Sequence, residues 1–137
     1  MEDWRAKALE SFPDLQDIVK EEQGGPIGLW IELFYKLTRA YDEQPSNDDL
    51  IRRIYDYADW CLNQPSTGDA TTDPSSAAAV GLFESIPLNQ NVSEDLHRWI
   101  SVEQFEGFEN LFRYLQSDEE YLRFTDKFMR KKKGLTS

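Results

Sequence analysis

The chain of 137 residues carries 26 Asp and Glu against 15 Lys and Arg, a net charge of −11, with one His and one Cys. That length suits one domain with its own core, and 39% hydrophobic with 13% aromatic residues excludes a disordered or fibrous chain. The charge argues against a nucleic-acid binder, one cysteine allows no internal disulfide, and no segment approaches the roughly 20 apolar residues that span a bilayer.

The N-terminal stretch MEDWRAKALESFPDL is acidic and amphipathic. It lacks the basic and apolar regions of a signal peptide, so the expected location is the cytoplasm and no membrane partner is expected. Helices are expected at 3–10 and 12–22, with Ser11 and Asp14 at capping-box spacing, stopped by Gly24, Gly25 and Pro26. A long third helix, 26–42, is hydrophobic nearly all round: Ile27, Trp30, Ile31, Leu33, Phe34, Leu37 and Tyr41 sweep most of its circumference. Glu32, Lys36 and Arg39 leave a narrow polar stripe, so this helix is expected at the centre, covered on several sides.

A fourth helix, 47–63, follows the pair Ser46 and Asp49. Leu50, Ile51, Ile54, Tyr57, Ala58, Cys61 and Leu62 form one apolar arc, with Arg52, Asp56, Asp59 and Asn63 opposite. Cys61 lies inside the arc and reads as a buried, inert thiol. Trp60 breaks the pattern, falling on the polar side between Arg53 and Asp56. Two readings stay open: the 65–76 loop covers it, or Trp60 with Arg53 and Asp56 forms a partner-binding surface, since tryptophan beside arginine is common hot-spot chemistry.

The 65–76 stretch, PSTGDATTDPSS, is the obvious loop. The small-residue helix after it, with Ala77, Ala78, Ala79 and Gly81, suits close backbone approach and reads as helix packing before a ligand seat. A short helix around 93–99 precedes one at 102–116 that opens on Ser101 and Gln104 and buries Phe105, Phe108, Leu111, Phe112 and Leu115. The last helix, 118–131, uses Tyr121, Leu122, Phe124 and Phe128. Its basic tail, 130–137, reads as a solvated helix end whose cations complement the dipole, with contact to anionic lipid or nucleic acid as the functional alternative.

The stretches GGPIGLWIELFYKLTRAY, DDLIRRIYDYADWCLNQP, AAAVGLFESIP and HRWIS together resemble a family of small bacterial proteins known only as a domain of unknown function. The resemblance covers roughly 12–125. It implies a stand-alone, soluble, helical bacterial domain and brings no catalytic residues with it.

Chemistry is sparse. Cys61 and His97 allow a Cys–His dyad by arithmetic alone, without an activating signature around either, and His97 is expected on a solvated helix face. One His and one Cys do not make an ordinary zinc site, and Asp69 and Asp73 near Gly68 lack calcium-loop spacing. No catalytic residue, cofactor or metal is therefore assigned. The expectation is a single all-α domain over 1–137, an irregular bundle of about six or seven helices around the third, with a short superhelical stack of helix pairs as the alternative. The expected function is a non-enzymatic acidic module, immunity- or antitoxin-like, that binds a basic protein. The competing reading is a small enzyme whose carboxylate or Cys–His site carries no signature. Oligomeric state is left open.

Overall fold

The computed structural model describes residues 1–134, so the last three positions of the basic tail expected at 130–137 lie outside the described residues. Among the described residues all regular structure is helical, in nine α-helices joined by short 3-10 and π turns. The protein is all-α. Helix α1 spans Asp3–Ser11, α2 Gln16–Glu21, α3 Gly25–Asp42, α4 Asp48–Leu62, α5 Pro74–Ala78, α6 Gln90–Asp95, α7 Val102–Gly107, α8 Glu109–Arg113 and α9 Asp118–Lys132. The chain divides into two compact units, Met1–Leu82 and Phe83–Ser137.

In the first unit α3 packs against α2, α4 and α5, and α1 packs against α4. Gly25 opens α3 at φ +79, a left-handed conformation that glycine adopts without steric cost. A Cβ there would strike the Thr71 carbonyl of the 65–76 loop. The Ile27 amide donates to the Ala70 carbonyl at 3.1 Å, which fastens that loop to the start of α3. Leu29, Trp30, Leu33, Leu37 and Ala40 of α3 are buried, whereas Ile31 (63% exposed) and Tyr35 (54%) leave one flank open. The helix is thus covered on its main face and not all round.

The small residues behave as packing surface. Ala77 and Ala78 of α5 are fully buried, and a Cβ on Gly81 would lie 2.5 Å from Trp30 Cβ. The expected helix there gives way after Ala78 to a π turn, Ala79–Phe83, which carries the chain into the second unit.

The second unit is organised by phenylalanines. Phe105 stacks on Phe128 at 4.1 Å between ring centroids and meets Phe112 and Phe124 at 5.1 and 5.3 Å, while Phe83 meets Phe108 at 4.4 Å. The single helix expected over 102–116 is two, because the chain breaks at Phe108, and Leu115 is exposed rather than buried. Reciprocal capping boxes open α7 (Ser101 with Gln104) and α9 (Ser117 with Glu120). The other two expected boxes do not form. Ser11 Oγ donates back to the Lys7 carbonyl at 2.8 Å, and Asn47, not Ser46, caps α4 by accepting from the Leu50 amide. No helix among the described residues is long and apolar enough to cross a membrane.

Candidate functional site

The apolar arc of α4 supplies a column of rings. Tyr57 is buried, stacks on Trp30 of α3 at 5.5 Å and 25°, and receives Phe12 edge-on at 5.5 Å. Its hydroxyl donates to the Trp4 carbonyl at 2.9 Å, tying α4 to α1. Trp60, three residues on, lies nearly parallel to Tyr57 at 6.1 Å and 12°. Spacing of three brings neighbouring side chains together on a helix surface, so a tryptophan on the polar side still reaches the core through the ring one turn earlier. It caps the column and does not stand alone there.

The rest of the Trp60 ring borders two concavities. One, of about 390 Å³, is walled on the α4 side by Arg53, Asp56, Asp59, Trp60 and Asn63. Lys7 and Ser11 of α1 close its other side. A smaller one, of about 270 Å³, sets Trp60 with Trp4, Pro65, Thr72 and Pro74. The 65–76 loop therefore comes up to Trp60, and the larger groove on its other border stays open. Trp60, Arg53 and Asp56 all border the larger concavity. The sequence reading missed Lys7 and Ser11, which belong to a helix more than 40 positions away and carry no signal pointing to α4.

Arg53 plays a different part from its neighbours. Its guanidinium donates to both Asp14 oxygens at 2.7 and 3.1 Å and to Asp49 at 2.9 Å, and lies over the Phe12 ring at 5.9 Å. Hydrogen bonds from Arg53 hold Asp14 below the ordinary carboxylate range and, together with Arg52, do the same for Asp49. The charge of Arg53 is thus already met inside the unit. Asp56 has an exposed ion pair with Arg52 at 3.4 Å. Lys7 reaches Glu10 at 3.5 Å. Among the described residues no hydrogen bond or ion pair engages the Asp59 carboxylate and no cation lies over Trp60.

Two other clusters are satisfied internally. Asp73 is 6% exposed and accepts from the Thr67 amide and hydroxyl at 2.9 and 2.7 Å and from the Ser76 amide and hydroxyl at 2.6 and 3.0 Å. Burial pushes its carboxyl up, but these bonds outweigh burial and hold it well below the usual range. Asp69 likewise accepts from the Thr71 amide and hydroxyl, so both acids of the loop serve to shape it. Among the described residues no three His, Cys, Asp or Glu side chains are grouped to hold a metal ion.

Cys61 is fully buried, and burial pushes its thiol up to about 12, only partly countered by Trp30 and Tyr57 beside it. A thiol held there has almost no thiolate near neutrality. His97 is half-buried in a 3-10 turn of the second unit with Nδ1 3.2 Å from the Glu94 carbonyl, rather than on a solvated face. Glu84 is raised by burial alone, with no second acid perturbing it.

Comparison with protein-family models, with curated proteins and with solved structures finds no match.

Proposed function

We propose that this chain is a non-enzymatic binding module for a basic protein, engaged through its first unit. The observation that carries the reading is the excess of negative charge in the first unit, which also holds an open groove with Trp60 at its wall. Residues 1–82 hold 16 Asp and Glu against 7 Lys and Arg, a net of −9, whereas residues 83–137 hold 10 against 8, a net of −2. Charge on that scale raises the encounter rate with a basic partner and discriminates against acidic ones. Trp60 supplies what charge alone lacks, a desolvated contact at the wall of a groove. An immunity-like role, in which the module masks the basic surface of another protein, fits this chemistry.

The test is capture by the immobilised full chain from a lysate of the source cell, at low salt and at roughly 1 M salt, where the screening length shrinks to about 3 Å. The expected result is a stoichiometric complex with a basic protein whose association slows steeply as salt rises. Recovery of chaperones alone at every salt concentration refutes the reading.

A further inference from the structure

Taking the acidic first unit as a surface for basic partners, we infer that the Trp60 groove receives one arginine side chain of the partner, its guanidinium lying on the indole and forking to Asp59 and Asp56. Cations are attracted to the face of an indole, and tryptophan is the strongest of the aromatic partners. This chain uses the same contact internally: Arg5 lies over Trp4 at 4.6 Å and Arg98 over Trp99 at 5.1 Å. Arg53 lines the groove with Trp60, but its guanidinium is committed to Asp14 and Asp49 and does not lie over the indole. The indole is left without its cation, in a groove that also holds the unengaged carboxylate of Asp59.

Arginine fits better than lysine for a geometric reason. A planar guanidinium stacks on a ring and offers two parallel N–H donors to a carboxylate at once, whereas an ammonium does only one of these well. Asp56 is also open to exchange, because its pair with Arg52 is long and exposed on both sides. Lys7 works against the guest. It lines the same groove with a positive charge that Glu10 meets only at 3.5 Å, so removing that charge should favour an incoming arginine.

The probe is a hexa-arginine peptide titrated into the isotopically labelled full chain, followed through the indole N–H signals, with hexa-lysine as the equal-charge comparison. The Trp60 signal is identified by its loss in Trp60→Phe. Expected are a saturable shift of that signal and tighter binding of hexa-arginine than of hexa-lysine. Asp59→Asn should weaken binding roughly fivefold, and Lys7→Gln should strengthen it by about two- to fivefold. Trp60→Ala should weaken it by roughly tenfold. Should that variant lose stability, the Asp59 and Lys7 variants decide alone, since neither residue anchors the core. Equal binding of the two peptides, an unmoved Trp60 signal, or a Lys7→Gln variant that binds no better overturns the inference. Saturable binding that shifts signals elsewhere on the acidic unit overturns it while sparing the wider reading. If neither peptide binds, the inference falls, and the wider reading falls with it only when no basic protein is captured.

Discussion

Replacing Arg53 tests how the groove is held. The residue sits on α4, is 19% exposed, and grips Asp14 through two hydrogen bonds at 2.7 and 3.1 Å, 39 positions back along the chain. That bond ties the turn after α1 to α4 and so sets the two walls of the groove at their spacing. A fully exposed pair is worth about 0–1 kcal/mol, and breaking a fully buried one costs about 3–5 kcal/mol. Here the arginine is mostly covered while Asp14 is 54% exposed, so solvent screens the pair in part. Arg53→Met, which keeps the packing over Phe12, should then cost about 1–2 kcal/mol. The assay is urea unfolding followed by circular dichroism, run as a double-mutant cycle with Asp14→Asn. A coupling near 1 kcal/mol is expected at low salt, shrinking as salt rises. Because the folded state holds the Asp14 carboxyl below its ordinary value, this stabilisation is present above the unfolded pKa of about 4 and is lost as pH falls through the folded one. A coupling indistinguishable from zero at low salt, with unchanged acid sensitivity in Arg53→Met, would falsify the assignment of Arg53 as the clamp.

Three further variants probe the surrounding frame. Asp73→Ala strips the 65–76 loop of its buried acceptor and α5 of its cap, and should lower stability by about 2–4 kcal/mol; a midpoint within the error of the wild type would contradict that. Since the Asp73 carboxyl is lowered on folding, Asp73→Asn should also flatten the acid limb of the stability profile below about pH 4, which a pH series of melts reads directly. Gly81→Ala places a methyl 2.5 Å from Trp30 Cβ and should cost about 1–3 kcal/mol, so a raised melting temperature refutes the close approach. Cys61 should react with an aromatic disulfide reagent only as the first unit opens, with labelling accelerated by urea; rapid stoichiometric labelling of the native chain contradicts its burial.

Much of the fold could be read in one dimension because helices are local objects. The ends of α3 and α4 fall within a residue or so of expectation, and Ile51, Ile54, Tyr57, Ala58 and Cys61 are buried as their spacing requires. The Ser101 capping box forms as spelled. Where local signals competed, the tertiary setting chose between them. Ser46 and Asn47 both suit a cap, and Asn47 holds it. Ser11 lies at capping-box spacing from Asp14, yet its hydroxyl turns back into α1 and Asp14 is taken by Arg53. The continuous apolar pattern over 102–116 is interrupted at Phe108, where the ring packs on Phe83 and Phe112.

What the sequence determined by itself is the helical class, the acidic character of the chain, the burial of Cys61 and the oddity of Trp60 among charged neighbours. What only the tertiary structure decided is the meaning of that oddity. A periodic pattern tells which face of a helix is apolar, but not which distant segment will stand opposite its polar face. Here α1 does so: it brings Lys7 and Ser11 across from Trp60, while Asp14 just beyond it engages the Arg53 guanidinium and Tyr57 props the indole from beneath. The groove exists because of contacts spanning roughly 40 positions or more, and no periodicity within one helix encodes them.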